Sequence, residues 1–276
     1  MAKKEQAPVA ENTNLPARQN EVVTALGVPN ELADLVMQDV GRGFTHTQAD
    51  DFALPFLQLL QSLSPQVNSR DPKYVPGAQA GMWFNTVTQE LWDGEQGIAI
   101  IPVEYVKVYN EWIPRDKGGG FIKMHTDKQQ AEIEKRQDTQ VVDTANFFAL
   151  ARSKDSSWTP VVLSMTSTKL KVARSWMSIM DGYKLPKPGG GKETAPMFSR
   201  WYVLKTVQTR NDKGTFFIPQ VIDQGKDGWV VDRELYLRAR QLYDQVSRGA
   251  RGVDFRRQEQ DEVVEVQVEE ADLPNM

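Results

Sequence analysis

The stretch GIAIIPVEYVKVY, residues 97–109, decides the fold class of this chain. β-Branched and aromatic residues dominate it, and these residue types fit the pleated, half-buried surface of a sheet. The stretch therefore predicts a long β-strand. Pro102 lies inside it, and because proline cannot donate a ladder hydrogen bond, we expect an edge or a bulge at that point.

The segments on either side add strands and helices. Residues 201–208 and 215–222 are strand-like and flank the turn TRNDKG, which predicts a β-hairpin. Extended segments are also predicted at residues 52–62, 81–88 and 158–165, and residues 141–150 begin a further apolar segment. Helices are predicted at residues 28–40, 166–181 and 232–247, the last with Asp232 as its N-cap. Residues 126–140 fit either a solvated helix or an irregular excursion.

This order of elements predicts an α+β, mainly β fold. Short antiparallel strands with added helices and long basic loops suit a small barrel, and the five-stranded OB-fold-like antiparallel barrel has the appropriate partner chemistry. Three regions are expected. They are a flexible N-terminal arm with a short helix at residues 1–50, the OB-like nucleic-acid-binding domain at 51–252, and a disordered acidic C-terminal tail at 253–276.

Charge is segregated along the chain. The formal net charge is -4, yet residues 258–276 carry seven acidic residues and no basic one. Residues 145–257 carry 20 basic and ten acidic residues, a net charge of +10. A basic surface neutralises phosphates and releases counterions, while a block of acidic residues often serves as an interaction tail.

Several classes of function are disfavoured by composition. The chain has no cysteine and two histidines, which argues against disulfides, thiolate metal sites and imidazole catalysis. The stretch PGGGKET, residues 188–194, lacks the Ser or Thr that follows the lysine of a phosphate-binding P-loop. No apolar run has the length of a membrane span, and the N-terminus lacks a signal-peptide pattern. We therefore expect a cytoplasmic protein with no cofactor, no metal and no enzymatic activity.

Basic and aromatic residues alternate at several places, and binding of single-stranded nucleic acid requires this combination. Tyr105, Lys107 and Tyr109 fall on one face of the long predicted strand, unless the tyrosines merely cover an edge of the core. The loop RDKGGGFIK, residues 115–123, combines cations with glycines that allow close approach to a phosphate, unless it is only a flexible turn. The predicted nucleic-acid-binding residues are Tyr105, Lys107, Tyr109, Trp112, Arg115, Lys117, Lys123, Lys184, Lys187, Lys192, Arg200, Trp201, Tyr202 and Lys205.

The basic body, the aromatic β-segments and the acidic end together resemble single-stranded DNA-binding proteins of bacteriophages. The matching segments are residues 81–123, 160–180, 200–223 and 259–276. Residues 81–121 also resemble uncharacterised phage proteins encoded near replication genes. The resemblance implies an OB fold and an acidic tail that recruits replication proteins and competes with DNA. The tail ends LPNM without a terminal Phe, so recruitment through an aromatic terminus is not expected.

The leading hypothesis is a sequence-independent single-stranded DNA-binding protein in phage replication, recombination or repair. It would act as a monomer or homodimer in the cytoplasm of the host cell, without membrane contact. The alternatives are a regulatory adaptor that binds RNA or DNA polymerase, and a strand-annealing recombination factor. Partner proteins would bind the tail through Asp261, Glu262, Glu265, Glu269, Glu270 and Asp272.

Overall fold

The computed structural model describes residues 28–40, 42–43, 54–211 and 214–248. The chain divides into two compact units, Met1–Asp51 and Phe52–Met276. In the first unit, a 3₁₀ turn at Asn30–Leu32 leads into helix α1, Ala33–Gln38, which confirms a short helix within residues 28–40. The acidic tail and its predicted partner-binding residues lie outside the described residues.

The second unit is built mainly from strands. These are β1 (Leu57–Leu59), β2 (Trp83–Asn85), β3 (Leu91–Trp92), β4 (Ile98–Trp112), β5 (Phe121–His125), β6 (Gln140–Arg152), β7 (Trp158–Thr166), β8 (Lys184–Pro186), β9 (Lys192–Thr194), β10 (Tyr202–Asn211) and β11 (Gly214–Asp223). The helices are α2 (Lys128–Glu134), α3 (Lys169–Asp181) and α4 (Arg233–Ser247). Short 3₁₀ turns lie at Pro65–Val67, Arg115–Lys117, Met197–Ser199 and Gly225–Gly228.

A six-stranded antiparallel sheet forms the centre of this unit, in the order β11-β10-β4-β6-β7, with β5 also paired to β4. Strand β4 pairs with β6 along almost its whole length. Its other edge pairs with β10 near Ile98 and with β5 near Trp112. The register shifts between Pro102 and Glu104, which confirms the bulge expected at the proline.

Both faces of the central sheet are covered by other elements. Successive residues of β6 are apolar, so each face presents apolar side chains that are buried. Phe147 packs with Trp176 of α3 in one cluster, which also holds Leu57 and Trp83 of the small sheet β1-β2-β3. Phe148 packs on the opposite face in a cluster that includes Leu242 of α4. We call these the α3 face and the α4 face. Burial of apolar area on both faces is the main source of stability in such a layered arrangement.

The α+β, mainly β class is confirmed, but the predicted five-stranded OB-like barrel is wrong. Among the described residues, the central sheet is open, and no ladder joins β11 to β7. The small sheet is tied to both of these strands instead. Phe56 bridges to Val162 of β7, and the side chain of Gln61 hydrogen-bonds the backbone of Phe217 in β11. A sheet with two apolar faces is stabilised by layers on each side, whereas a small closed barrel buries only its interior.

The local predictions are confirmed at the hairpin β10–β11 and at helices α3 and α4. Asp232 caps α4 by accepting hydrogen bonds from the amides of Glu234 and Leu235 at 2.8 and 3.0 Å. Residues 126–140 contain α2, whose first turn is capped by Asp127. Within the described residues, no helix has the length and apolarity to cross a membrane.

Candidate nucleic-acid interface

Tyr105, Lys107 and Tyr109 form a row on the α3 face of β4, which we call the Tyr-Lys-Tyr row. The register pairs them with Phe147, Ala145 and Asp143 of β6, so all three share one face, as predicted. The Tyr105 ring packs 5.1 Å from the Phe147 ring, and both tyrosines are half-buried. The row therefore combines the two alternatives raised by the sequence. The inner side of the row packs against the hydrophobic core. Its outer side presents a tyrosine ring, an ammonium group and a second tyrosine ring.

Lys107 is the cation of this row, with 42% of its side chain exposed. Its Nζ lies 5.4 Å from the centroid of the Tyr109 ring and 3.2 Å from a carboxylate oxygen of Asp143. Burial lowers the Lys107 pKa, but the hydrogen bond and charge of Asp143 outweigh burial, and the pKa is raised. The group is therefore cationic at neutral pH.

Lys128 at the start of α2 belongs to the same cluster, although it is not among the residues predicted to bind nucleic acid. Its Nζ lies 3.0 Å from Asp143, so two ammonium groups share one carboxylate. The sequence signal available was Asp127, an N-cap residue that precedes the apolar Ala131 at helical spacing. Lys107, Lys128 and Asp143 together carry a net positive charge beside two tyrosine rings.

A buried carboxylate fixes the α2 segment against β4 and β5. Glu111 is 2% exposed and accepts hydrogen bonds from the Arg136 amide and the Thr139 hydroxyl, each at 2.6 Å. Its other oxygen lies 3.4 Å from His125 Nε2 on β5. Burial raises the pKa of Glu111, but these hydrogen bonds outweigh burial and lower it. Glu111 thus positions the segment that carries Lys128.

The glycine loop between β4 and β5 has the open backbone that the sequence predicts. Gly118, Gly119 and Gly120 all have positive φ, at 104°, 69° and 128°, and a Cβ on Gly118 or Gly119 would meet nothing within 4 Å. Two lysines of the segment have acidic partners. Lys117 pairs with Asp138 at 2.6 Å, and Lys123 pairs with Glu134 at 2.7 Å. Arg115 begins the 3₁₀ turn that opens the loop.

Strands β8 and β9 form an exposed hairpin, residues 184–194, which we call the hairpin arm. All six residues of its strands are exposed, and Gly189, Gly190 and Gly191 close its tip with positive φ. Lys187 pairs with Glu193 at 3.1 Å, and Lys184 pairs with Asp181. Lys192 is exposed on β9. The arm therefore places three of the predicted lysines on one protruding element.

Arg200 and Tyr202 are not surface residues, which corrects their assignment to the interface. Arg200 is 2% exposed, with its guanidinium 3.4 Å from the Tyr183 ring centroid and 4.8 Å from that of Trp229. It also pairs with Asp223 at 3.0 Å. Tyr202 is fully buried, and burial is the main cause that raises its pKa to about 12. Arg200 holds the base of the hairpin arm against β11.

Trp112 is also removed from the set of stacking residues. It is 4% exposed, and its ring meets that of Phe121 edge-on at 5.3 Å. Trp201 and Lys205 are partly exposed, and Trp201 Nε1 donates to the carbonyl of Asp227 at 3.1 Å. The structure thus brings together the Tyr-Lys-Tyr row with Lys128, and separately the lysines of the hairpin arm. Within the described residues, no group of three His, Asp or Glu side chains is placed to hold a metal ion.

Comparison with known proteins places this chain among phage proteins. The model of the Pam3 phage gp34-like protein family matches residues 24–251, which is most of the chain. No curated protein and no solved structure shows significant similarity to this chain.

Proposed function

We propose that this chain, which belongs to the Pam3 phage gp34-like protein family, binds single-stranded DNA without sequence preference during phage replication, recombination or repair. It would act in the cytoplasm of the infected host, as a binding protein and not as an enzyme. The observation that carries this proposal is the Tyr-Lys-Tyr row, where two half-buried rings flank an exposed ammonium group.

The chemistry of the row suits an unpaired strand. Bases that are not paired can stack on tyrosine rings, whichever base is present, and each stacked base contributes about 1–3 kcal/mol. Alternate residues of a strand lie about 7 Å apart, so Lys107 is placed to meet a phosphate between two stacked bases. Duplex DNA hides its base faces, which makes stacking on this row specific for single strands.

Asp143 opposes this contact, because its carboxylate holds both Lys107 and Lys128. A phosphate must displace the carboxylate to reach either ammonium group. The net affinity therefore reflects a competition between Asp143 and the phosphate. This competition gives the proposal a test in which one variant weakens binding and another strengthens it.

The test measures binding of fluorescent oligo-dT by anisotropy for Tyr109→Ala and Asp143→Asn. We expect Tyr109→Ala to weaken binding roughly 5- to 150-fold, the equivalent of losing one stacked base, while Tyr109→Phe keeps the affinity. Asp143→Asn should tighten binding about fivefold, since a carboxylate 4 Å from a phosphate costs about 1 kcal/mol in water.

The matched control is Lys154→Gln, an exposed lysine beyond the far end of β6. Arg152 lies nine positions after Asp143 in β6, a distance of about 30 Å along the strand. This variant should bind like the wild type. If Tyr109→Ala and Lys154→Gln have the same affinity, the row is not the binding surface.

A further inference from the structure

A groove of about 450 Å³ lies between α3 and the hairpin β10–β11. Helix α3 contributes Val172, Trp176 and Ile179 to its wall, and β11 contributes Ile218 and Val221. These side chains are apolar, so the groove suits an apolar occupant. None of its lining residues belongs to the Tyr-Lys-Tyr row, and the inference drawn from the groove does not depend on DNA binding.

Strand β11 borders this groove and is the outer strand of the central sheet within the described residues. The amide and carbonyl of Phe217 point away from β10, since both hydrogen-bond the side chain of Gln61. Backbone groups alternate in direction along an antiparallel strand, so those of Pro219 and Val221 also point outward. Pro219 has no amide hydrogen, but Val221 offers a donor and an acceptor to another strand.

The elements around the groove carry more basic than acidic residues. Helix α3, β10 and β11 contain five basic residues and two acidic ones, Asp181 and Asp223, each at the C-terminal end of its element. Those bases are Lys169, Lys171, Arg174, Lys205 and Arg210. Lys171 is exposed and lines the groove itself. An occupant that combines apolar side chains with carboxylates would therefore complement both the wall and its surroundings.

The chain contains such a segment beyond the described residues. Residues 262–270 read EVVEVQVEE, with no basic residue. Val264, Val266 and Val268 alternate with Glu265, Gln267 and Glu269. This period of two places three valines on one face of an extended strand and polar groups on the other. A tail that binds only through its negative charge would not need this alternation of valine and polar residues.

We propose that residues 262–270 dock into this groove of their own chain, with the valines on the apolar wall and the carboxylates toward the basic residues. The tail segment adds to the outer edge of β11, in the manner by which extended peptides add to exposed sheet edges. The described chain ends at Arg248, which leaves 16 residues to reach Val264. They span at most about 50 Å, more than the diameter of roughly 40 Å expected for a domain of this size.

The experiment uses disulfide trapping in the full chain, which has no native cysteine. Ser175→Cys places a thiol on the groove wall of α3, and Val266→Cys places one on the valine face of the tail. A disulfide forms only when the Cα atoms come within about 7 Å. The control pair is Gln241→Cys with Val266→Cys. Gln241 is exposed on α4, which covers the opposite face, and is closer to the tail in sequence.

We expect the groove pair to form an intramolecular disulfide at least ten times faster than the control pair under mild oxidation. Adding Val264→Ser and Val268→Ser to the groove pair should reduce its rate to that of the control. Equal rates for the groove and control pairs would overturn the proposal. Disulfides formed only between two chains would overturn it in favour of docking between copies, and serine variants that still cross-link rapidly would overturn docking through the valines. Thermal unfolding of each variant establishes that it is folded.

Discussion

At the scale of single residues, Glu111 is the side chain on which the candidate interface depends most. It is buried, accepts two hydrogen bonds from the α2 segment and faces His125 on β5. Hydrogen bonds to a charged group contribute about 1.5–3 kcal/mol each when the group is desolvated. Loss of the carboxylate charge would therefore loosen the segment that carries Lys128.

We predict that Glu111→Gln lowers the free energy of unfolding by about 1–3 kcal/mol at neutral pH. The folded-state pKa of Glu111 is lowered, so its stabilisation is present above the unfolded-state pKa and is lost as pH falls through the folded-state pKa. Wild type and variant should thus converge in strongly acidic buffer. Urea denaturation across that pH range measures the effect.

The matched control for this prediction is Glu132→Gln on α2. Glu132 pairs with Lys135 at 2.7 Å, but 46% of its side chain is exposed, and exposed ion pairs contribute about 0–1 kcal/mol. A stability loss at Glu132 as large as that at Glu111, or a loss at Glu111 that does not change with pH, would contradict the role assigned to the buried carboxylate.

Arg200 shows why some residues of the candidate site could not be predicted from sequence. A cation beside aromatic residues has the same local pattern whether it faces DNA or a ring of its own chain. Here the guanidinium lies between Tyr183 and Trp229, which are 17 residues before it and 29 after it. Gly228 also packs closely against the Arg200 side chain, because a Cβ at residue 228 would lie 2.6 Å from Arg200 Nη2. Only the tertiary fold brings these residues together.

At the scale of elements, the sequence correctly predicted the features that depend on local periodicity and on helix capping. Asp232 marks the start of α4, and Pro102 marks the bulge of β4. The hairpin arm was missed because its Gly-Pro-rich sequence has the composition of a loop. Its two strands are three residues each, too short for a pattern of alternation to be recognised. The anchor at its base, where Ala195 donates to the Tyr183 carbonyl at 2.8 Å, is likewise visible only in the fold.

The hairpin arm offers a prediction at this scale. Glu193 neutralises Lys187, and both side chains are more than half exposed. Glu193→Gln frees the ammonium group, so we predict tighter binding of oligo-dT. Replacing Lys187 and Lys192 with Gln should weaken binding and make the slope of log K against log salt shallower by about 1.4, since each neutralised phosphate of a single strand contributes about 0.7.

The measurement is a salt titration of the three proteins under identical conditions. Lys154→Gln again provides the control, because it removes one exposed lysine at a distance from the arm in the sequence. If the doubly substituted arm keeps the salt slope of the wild type, the arm does not contact phosphates. In that case, DNA binding would rest on the Tyr-Lys-Tyr row alone.

At the scale of the whole molecule, the apolar sequence of β6 explains why the barrel prediction was wrong. The stretch NFFALA in β6 is apolar at every position except Asn146, and Phe147 and Phe148 face opposite sides of the sheet. Two apolar faces indicate a sheet covered on both sides. The apolar pattern of β6 is thus typical of a layered fold, but the order of strands β11-β10-β4-β6-β7 depends on pairings between distant segments that no local pattern specifies.

The central claim is that this phage family member binds single strands through stacked bases and paired phosphates. A titration of the full protein with fluorescent oligo-dT and with a duplex of equal length, at low and high salt, tests it most directly. We predict preference for the single strand and a log–log salt slope of about -3, if Lys107, Lys128, Lys187 and Lys192 each meet a phosphate. Equal affinity for the duplex, or no binding to either DNA, would contradict the claim and favour an adaptor that acts through protein partners.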